Sequence, residues 1–109
     1  MIDRKAAIAA YKERKSTPGV FAIRCATSGE IWVGTAPDLT TIGNRIWFTL
    51  RRGSHTNRKL QAAWTEHGVD ALVFEALEAL PDEEHAATRD RLLKTQLLYW
   101  QREFGAQLL

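Results

Sequence analysis

The stretch GVFAIRCATSGEIWVG, residues 19–34, decides the fold of this chain. Residues 20–26 form an alternating, largely apolar pattern that is typical of a strand, and a second apolar run follows over residues 31–34. The tetrapeptide TSGE between them has the polar and glycine residues that favour a turn. The sequence therefore predicts two antiparallel strands joined as a β-hairpin.

Helical patterns and one more strand surround this hairpin. Gly53 and Gly68 end two of the predicted helices, and Pro81 with three following acids marks the start of another. The predicted helices cover residues 2–15, 38–52, 57–67 and 81–104, and the third predicted strand covers residues 71–77. This order predicts an α+β fold, in which a small three-stranded sheet, antiparallel or mixed, is flanked by helices.

The length of 109 residues predicts a single domain, with an N-terminal helical extension over residues 1–17 and a core over residues 18–105. No apolar run approaches the roughly 20 residues that span a bilayer, so no membrane partner is expected. A single cysteine, Cys25, excludes an internal disulfide framework and favours a reducing, cytoplasmic location. Three scattered histidines give no zinc-binding spacing.

Charge is unevenly distributed along the chain, although the net charge is only +2. Residues 1–60 contain eleven Lys or Arg and four Asp or Glu, whereas residues 61–109 contain four and nine. The basic half favours an anionic partner. The alternative is that these charges are solvated and average out in the folded protein. The acidic half offers a surface for a protein partner.

Basic and polar residues concentrate between two of the predicted helices. Arginine and lysine supply positive charge for phosphate groups, and the N–H groups at the start of the second helix are further donors to an anion. The candidate nucleic-acid-binding residues are Arg51, Arg52, His55, Asn57, Arg58 and Lys59. Two alternatives are weighed against this role: a solvated turn with basic residues and, for Asn57, a structural role as the helix N-cap.

The hairpin motifs and the segment after them resemble the GIY-YIG nuclease superfamily. The resemblance rests on GVF at residues 19–21, WVG at residues 32–34, GSHTNRKLQAAWTEHG at residues 53–68 and FEALE at residues 74–78. The last two segments are similar to the branch that includes the catalytic domains of group I intron homing endonucleases. The resemblance implies a domain that acts on DNA and that uses Mg²⁺ or Mn²⁺ where it is active.

The residues that would carry the family's chemistry are altered. The resemblance places the two catalytic tyrosines at Phe21 and Trp32, which lack a hydroxyl group and cannot act as a general base. Trp32 either lines a cleft, where a base could stack on it, or packs in the core. Counted without gaps, the family's arginine falls on Ile42, and the nearest arginine is Arg45, about one helical turn later. Arg45 is therefore either the charge-stabilising residue or a surface residue of an amphipathic helix.

The metal-binding glutamate of the family is also missing. In the family it precedes an aromatic pair, which matches residues 99–100 here, so the expected metal position is near Thr95, Gln96 or Leu97. None of these three is a carboxylate, the ligand that hard divalent cations prefer. A replacement carboxylate from Glu75 or Glu78 is the remaining route to a metal site.

Three functions are consistent with these residues. The first is a DNA-binding relative of the GIY-YIG nucleases in which metal-dependent phosphodiester hydrolysis is weak or lost. The second is an active endonuclease with a rearranged site, in which Arg45 stabilises charge and an unexpected carboxylate holds the metal. The third is a protein-interaction module that kept only the scaffold.

Overall fold

The computed structural model describes residues 17–80 and 85–109. The helix predicted over residues 2–15 and the predicted helix start at Pro81 lie outside these residues. Within the described part of the chain, no helix is long and apolar enough to cross a bilayer.

A mixed sheet of four strands forms the centre of the protein. The strands are β1 (Gly19–Cys25), β2 (Ile31–Ala36), β3 (Leu72–Ala79) and β4 (Gln107–Leu108), in the spatial order β3-β1-β2-β4. β1 pairs antiparallel with β2 and β3, whereas β4 pairs parallel with β2. The prediction of three strands is therefore wrong by one. A strand of two residues is too short to show an alternating pattern, so β4 is defined by its pairing with β2.

Three described α-helices surround the sheet, and a 3₁₀ turn at Val69–Ala71 leads into β3. The helices are α1 (Leu39–Arg51), α2 (Arg58–His67) and α3 (Ala86–Phe104). Asp38 caps α1, because its Oδ1 accepts a hydrogen bond from the backbone N–H of Thr40 at 3.0 Å. Asn57 caps α2 in the same way through the N–H of Leu60 at 3.1 Å. Gly105 follows α3 in the left-handed conformation that glycine adopts without strain.

Helices cover both faces of the sheet, because alternate residues of each strand point to opposite sides. One apolar layer lies between the sheet and the helices α1 and α2, and it is built mainly by Phe21, Ile23, Trp32, Ile46, Leu50 and Leu60. The second layer lies beneath α3 and contains Ala22, Val33, Leu97, Trp100 and Phe104. The first layer leaves the outward side of α1 and α2 exposed, and the candidate site lies there.

Candidate nucleic-acid interface

α1 has a buried face and an outward face. Ile46 and Leu50 are packed in the core, with 5% and 1% of their surface exposed, whereas Phe48 is 56% exposed. At 3.6 residues per turn, Phe48 points about 200° away from Ile46. Arg45 and Arg52 lie three residues before and four residues after Phe48, so both share its outward face. The guanidinium carbon of Arg52 is 5.4 Å from the centre of the Phe48 ring.

The outward face of α1 belongs to a segment without acidic residues. Residues 39–65 contain five Lys or Arg and no Asp or Glu. We call the five cationic side chains the basic surface; they are Arg45, Arg51, Arg52, Arg58 and Lys59, and all are exposed. Neither of the ion pairs found among the described residues involves any of the five. Their charge is therefore available to an external anion.

Gln61 holds the connection between α1 and α2. Its Nε2 donates a hydrogen bond to the carbonyl oxygen of Leu50 at 3.1 Å, and its Oε1 accepts one from the N–H of His55 at 3.1 Å. The His55 Nδ1 accepts a hydrogen bond from the N–H of Asn57 at 3.0 Å. These three bonds join the end of α1 to the start of α2, so the two helix ends that carry the cations are held next to each other.

His55 and Asn57, both predicted to contact nucleic acid, have roles within the protein. Asn57 is the N-cap of α2, which is the structural alternative weighed for it. Burial lowers the pKa of the His55 imidazole below its usual value near 6.5, so the ring is uncharged at neutral pH. His55 and Arg58 line an open hollow of about 500 Å³ over Gln61. The positive charge beside this hollow therefore comes from Arg58 and not from the imidazole.

Phe21 and Trp32, which the resemblance places at the family's tyrosine positions, lie inside the core. Phe21 is 2% exposed and stacks on Phe74, with the two ring centres 5.4 Å apart. Trp32 is fully buried, and its Nε1 has no hydrogen-bond partner among the described residues. Of the two alternatives weighed for Trp32, the structure shows core packing. Neither side chain offers a hydroxyl group or an exposed atom to a substrate.

The residues at the expected metal position point in two directions. Leu97 packs into the apolar layer beneath α3, whereas Thr95 and Gln96 line a hollow of about 540 Å³ beside Glu78. The Glu78 carboxylate accepts a hydrogen bond from the Trp100 Nε1 at 2.8 Å. A hard divalent cation prefers several charged oxygen ligands, and the described residues around this hollow supply one carboxylate. They do not fit the metal ion that the resemblance implies.

Glu75, the other carboxylate considered for a metal site, is engaged elsewhere. Its Oε2 lies 2.9 Å from a guanidinium nitrogen of Arg24. The Arg24 guanidinium in turn lies over the ring of Phe104, 4.6 Å from its centre. Across residues 17–80 and 85–109, no group of three or more His, Cys, Asp or Glu is arranged to hold a metal ion.

Phe48 is the surface residue that the sequence reasoning did not single out. On α1 and at its C-cap, the residues predicted from the sequence to act are Arg45, Arg51 and Arg52, and none of them is aromatic. Helical spacing carries the missing signal, because an aromatic residue three positions after Arg45 falls on the same side. An aromatic ring on the charged face of an amphipathic helix is a pattern worth testing for function.

The sequence matches no protein-family model, and no curated protein matches it significantly. Two solved structures are similar. The catalytic domain of the homing endonuclease I-TevI aligns with a TM-score of 0.69 at 23% identity, over 84% of this chain and 97% of that chain. A glutamate-to-alanine mutant of the catalytic domain of intron endonuclease I-TevI aligns with a TM-score of 0.67 at 25% identity, over 82% of this chain and 84% of that chain.

Proposed function

Because this chain has the fold of the GIY-YIG endonuclease catalytic domain, we propose that it binds DNA through the basic surface and that its phosphodiester hydrolysis is weak or lost. The observation that carries the proposal is the acid-free segment of residues 39–65, which presents five exposed cations. The neighbours' role as endonucleases makes nucleic acid the anion to consider first.

Phosphate groups are the part of DNA that such a surface binds. Each Lys or Arg that neutralises a phosphate releases a condensed counterion, so this binding is favourable at low salt and independent of base sequence. Arg58 and Lys59 lie in the first turn of α2, where backbone N–H groups and the helix dipole also favour an anion. Arg51 lies in the last turn of α1, which a fixed connection joins to α2. Contacts of this kind position a protein on DNA without reading its sequence.

The proposed weakness of hydrolysis follows from what the catalytic positions now contain. The resemblance places the family's two tyrosines at Phe21 and Trp32. Both side chains are buried and lack a hydroxyl group, so neither can activate a water molecule. The expected metal position has Thr95 and Gln96 at a surface with one carboxylate, Glu78. Two of the three parts of the family's chemistry, water activation and metal binding, therefore lack suitable groups in this chain. The third, charge stabilisation by an arginine, has Arg45 as its candidate.

A rearranged active site is the second candidate function. The observation that favours it is the position of Glu78, whose carboxylate lies at the same hollow as Thr95 and Gln96. In that case cleavage of DNA would require Mg²⁺ or Mn²⁺ and would be lost in Glu78→Gln and in Arg45→Ala. In the favoured proposal, neither cation produces more than weak cleavage.

One experiment tests binding and cleavage together. Fluorescently labelled single-stranded and duplex DNA are incubated with the protein in Mg²⁺, in Mn²⁺ and in EDTA, and both affinity and cleavage are measured. We expect binding in all three conditions, with weak cleavage or none. Arg51→Glu with Arg58→Glu should weaken binding at least about tenfold, because two phosphate-facing charges change sign.

The matched control carries the same change of charge on α3. Arg91 and Arg102 are exposed residues of that helix, on the opposite side of the sheet from the basic surface. Arg91→Glu with Arg102→Glu should therefore keep most of the wild-type affinity. Equal losses in both double variants would show that net charge, and not this surface, determines binding. No binding by the wild-type protein to any DNA would direct attention to a protein partner.

A further inference from the structure

Phe48 is an exposed aromatic ring in the middle of a charged surface. Its 56% exposure means that it adds little to the apolar core, which α1 completes through Ile46 and Leu50. Arg52 lies over the ring at 5.4 Å from its centre. A second hollow, of about 400 Å³, is lined by Asn44, Arg45, Phe48 and Thr49. The ring therefore has a guanidinium group on one part of its surface and an open hollow beside it.

We propose that Phe48 is a stacking platform for one unpaired base, so that the protein prefers single-stranded or locally unpaired DNA to intact duplex. This inference rests on the proposed function, because the phosphates on either side of the stacked base would contact Arg45 and Arg52. Base–aromatic stacking next to cations is the usual way in which proteins hold single strands, since every base has a π-face and every nucleotide a negative charge.

The positive charge around Phe48 favours a nucleotide as the ligand of its ring. Two arginines flank Phe48 on the outward face: Arg45 within α1 and Arg52 at its C-cap. The segment of residues 39–65 has no acidic residue that would repel a phosphate. Duplex DNA offers phosphates to the arginines, but its bases are stacked on one another. A base that is already unpaired reaches the ring without the cost of unstacking.

The test compares Phe48 variants on two probes of the same sequence, a single-stranded oligonucleotide and its duplex. Phe48→Ala should weaken single-strand binding by about 5- to 100-fold, the range expected when one base loses an aromatic partner. Duplex binding should change less than about twofold, because phosphate contacts persist. Phe48→Leu keeps an apolar side chain without a π-face and should lose as much as Phe48→Ala, whereas Phe48→Trp should keep the wild-type affinity.

Two further comparisons make the result decisive. Leu98→Ala removes a similarly exposed apolar side chain from α3 and should leave both affinities unchanged. The salt dependence of single-strand binding should be the same in Phe48→Ala and wild type, because no charge is removed. If Arg51→Glu with Arg58→Glu weakens binding while Phe48→Ala leaves single-strand affinity unchanged, the stacking site is wrong and the proposed function stands. If the wild-type protein binds neither probe, both proposals are wrong.

Discussion

Phenylalanine has opposite surroundings at positions 21 and 48. Phe21 is 2% exposed and stacked against Phe74, whereas Phe48 is 56% exposed on a helix that bears arginines. The first ring contributes to folding through the apolar surface that it removes from water. The second stays in water, where it is available to a ligand. A substitution of the same kind should therefore affect stability at one position and not at the other.

Restoring the family's tyrosine at position 21 should destabilise the protein without creating a nuclease. Phe21→Tyr adds a hydroxyl group at the Cζ of a ring that packs closely against Gly34. A Cβ at position 34 would lie only 2.9 Å from that Cζ. An unpaired buried hydroxyl group costs about 1–3 kcal/mol. Urea unfolding should show this loss, and DNA cleavage in Mg²⁺ should not rise above that of the wild type. Phe48→Tyr, the surface control, should unfold at the wild-type midpoint, and metal-dependent cleavage by Phe21→Tyr above the wild-type level would contradict the assignment.

Stability should depend on pH through His55. Burial lowers the pKa of its imidazole in the folded protein below the value near 6.5 that it has in the unfolded chain. Between these two pKa values, the unfolded chain binds a proton that the folded protein does not. The His55 contribution is therefore complete above pH about 6.5 and is lost as the pH falls below it.

Urea unfolding of wild type and His55→Gln at pH 8 and at pH 5 measures this effect. Glutamine does not titrate, so the free energy of unfolding of His55→Gln should fall less over this range than that of the wild type. The comparison between the two proteins removes the contribution of carboxylates, which is common to both. The same fall in both proteins would mean that groups other than His55 cause the acid sensitivity.

The connection between α1 and α2 is the element on which the proposed site depends. α1 carries Arg45, Arg51 and the stacking residue Phe48, and α2 carries Arg58 and Lys59. Neither helix alone assembles the basic surface. Their relative position is set in part by Gln61, which donates to the last turn of α1 and accepts from the N–H of His55.

Gln61→Ala should loosen this connection and weaken DNA binding at the same time. Loss of two hydrogen bonds corresponds to about 1–3 kcal/mol of unfolding free energy. Hydrogen exchange at the backbone amide of His55 should become faster, because that amide loses its acceptor. Thr65→Ala, one turn further along α2, is the matched control and should change neither quantity. A wild-type exchange rate in Gln61→Ala would show that other contacts fix the connection.

Charge is segregated across the molecule as a whole. The helices α1 and α2 with their connection, residues 39–67, have five Lys or Arg and one acid, Glu66, whereas α3 combines four Lys or Arg with two acids. The sheet separates α3 from the other two helices, because its two apolar layers lie on opposite sides. An anionic polymer is therefore attracted to one side of the molecule, although the net charge is only +2.

The salt dependence of DNA binding measures this segregation. Each arginine that contacts a phosphate contributes about one unit to the slope of log affinity against log salt concentration. Arg51→Ala with Arg58→Ala should therefore reduce the slope by about two units. Arg91→Ala with Arg102→Ala should leave the slope at its wild-type value. Equal slopes in both double variants would contradict a one-sided binding surface.

The sequence by itself determined the local elements, because local interactions set them. The alternating pattern and the TSGE turn predict the hairpin, Asn57 and Gly68 mark the two ends of α2, and helical spacing gives α1 a buried side. The resemblance of residues 19–34 and 53–68 to GIY-YIG nucleases also came from the sequence, and the fold confirms it. The absence of a motif hydroxyl group or carboxylate is a property of residue identity and needs no structure.

Only the tertiary structure decided which aromatic residues are inside and which are available. Trp32 and Phe48 are both apolar, and the layer in which each residue lies depends on the packing of helices against the sheet. β4 exists through its pairing with β2, and Glu78 reaches the hollow of Thr95 and Gln96 because α3 packs back on the sheet. Such contacts join residues that are distant in the chain, and a pattern within one segment carries no information about them.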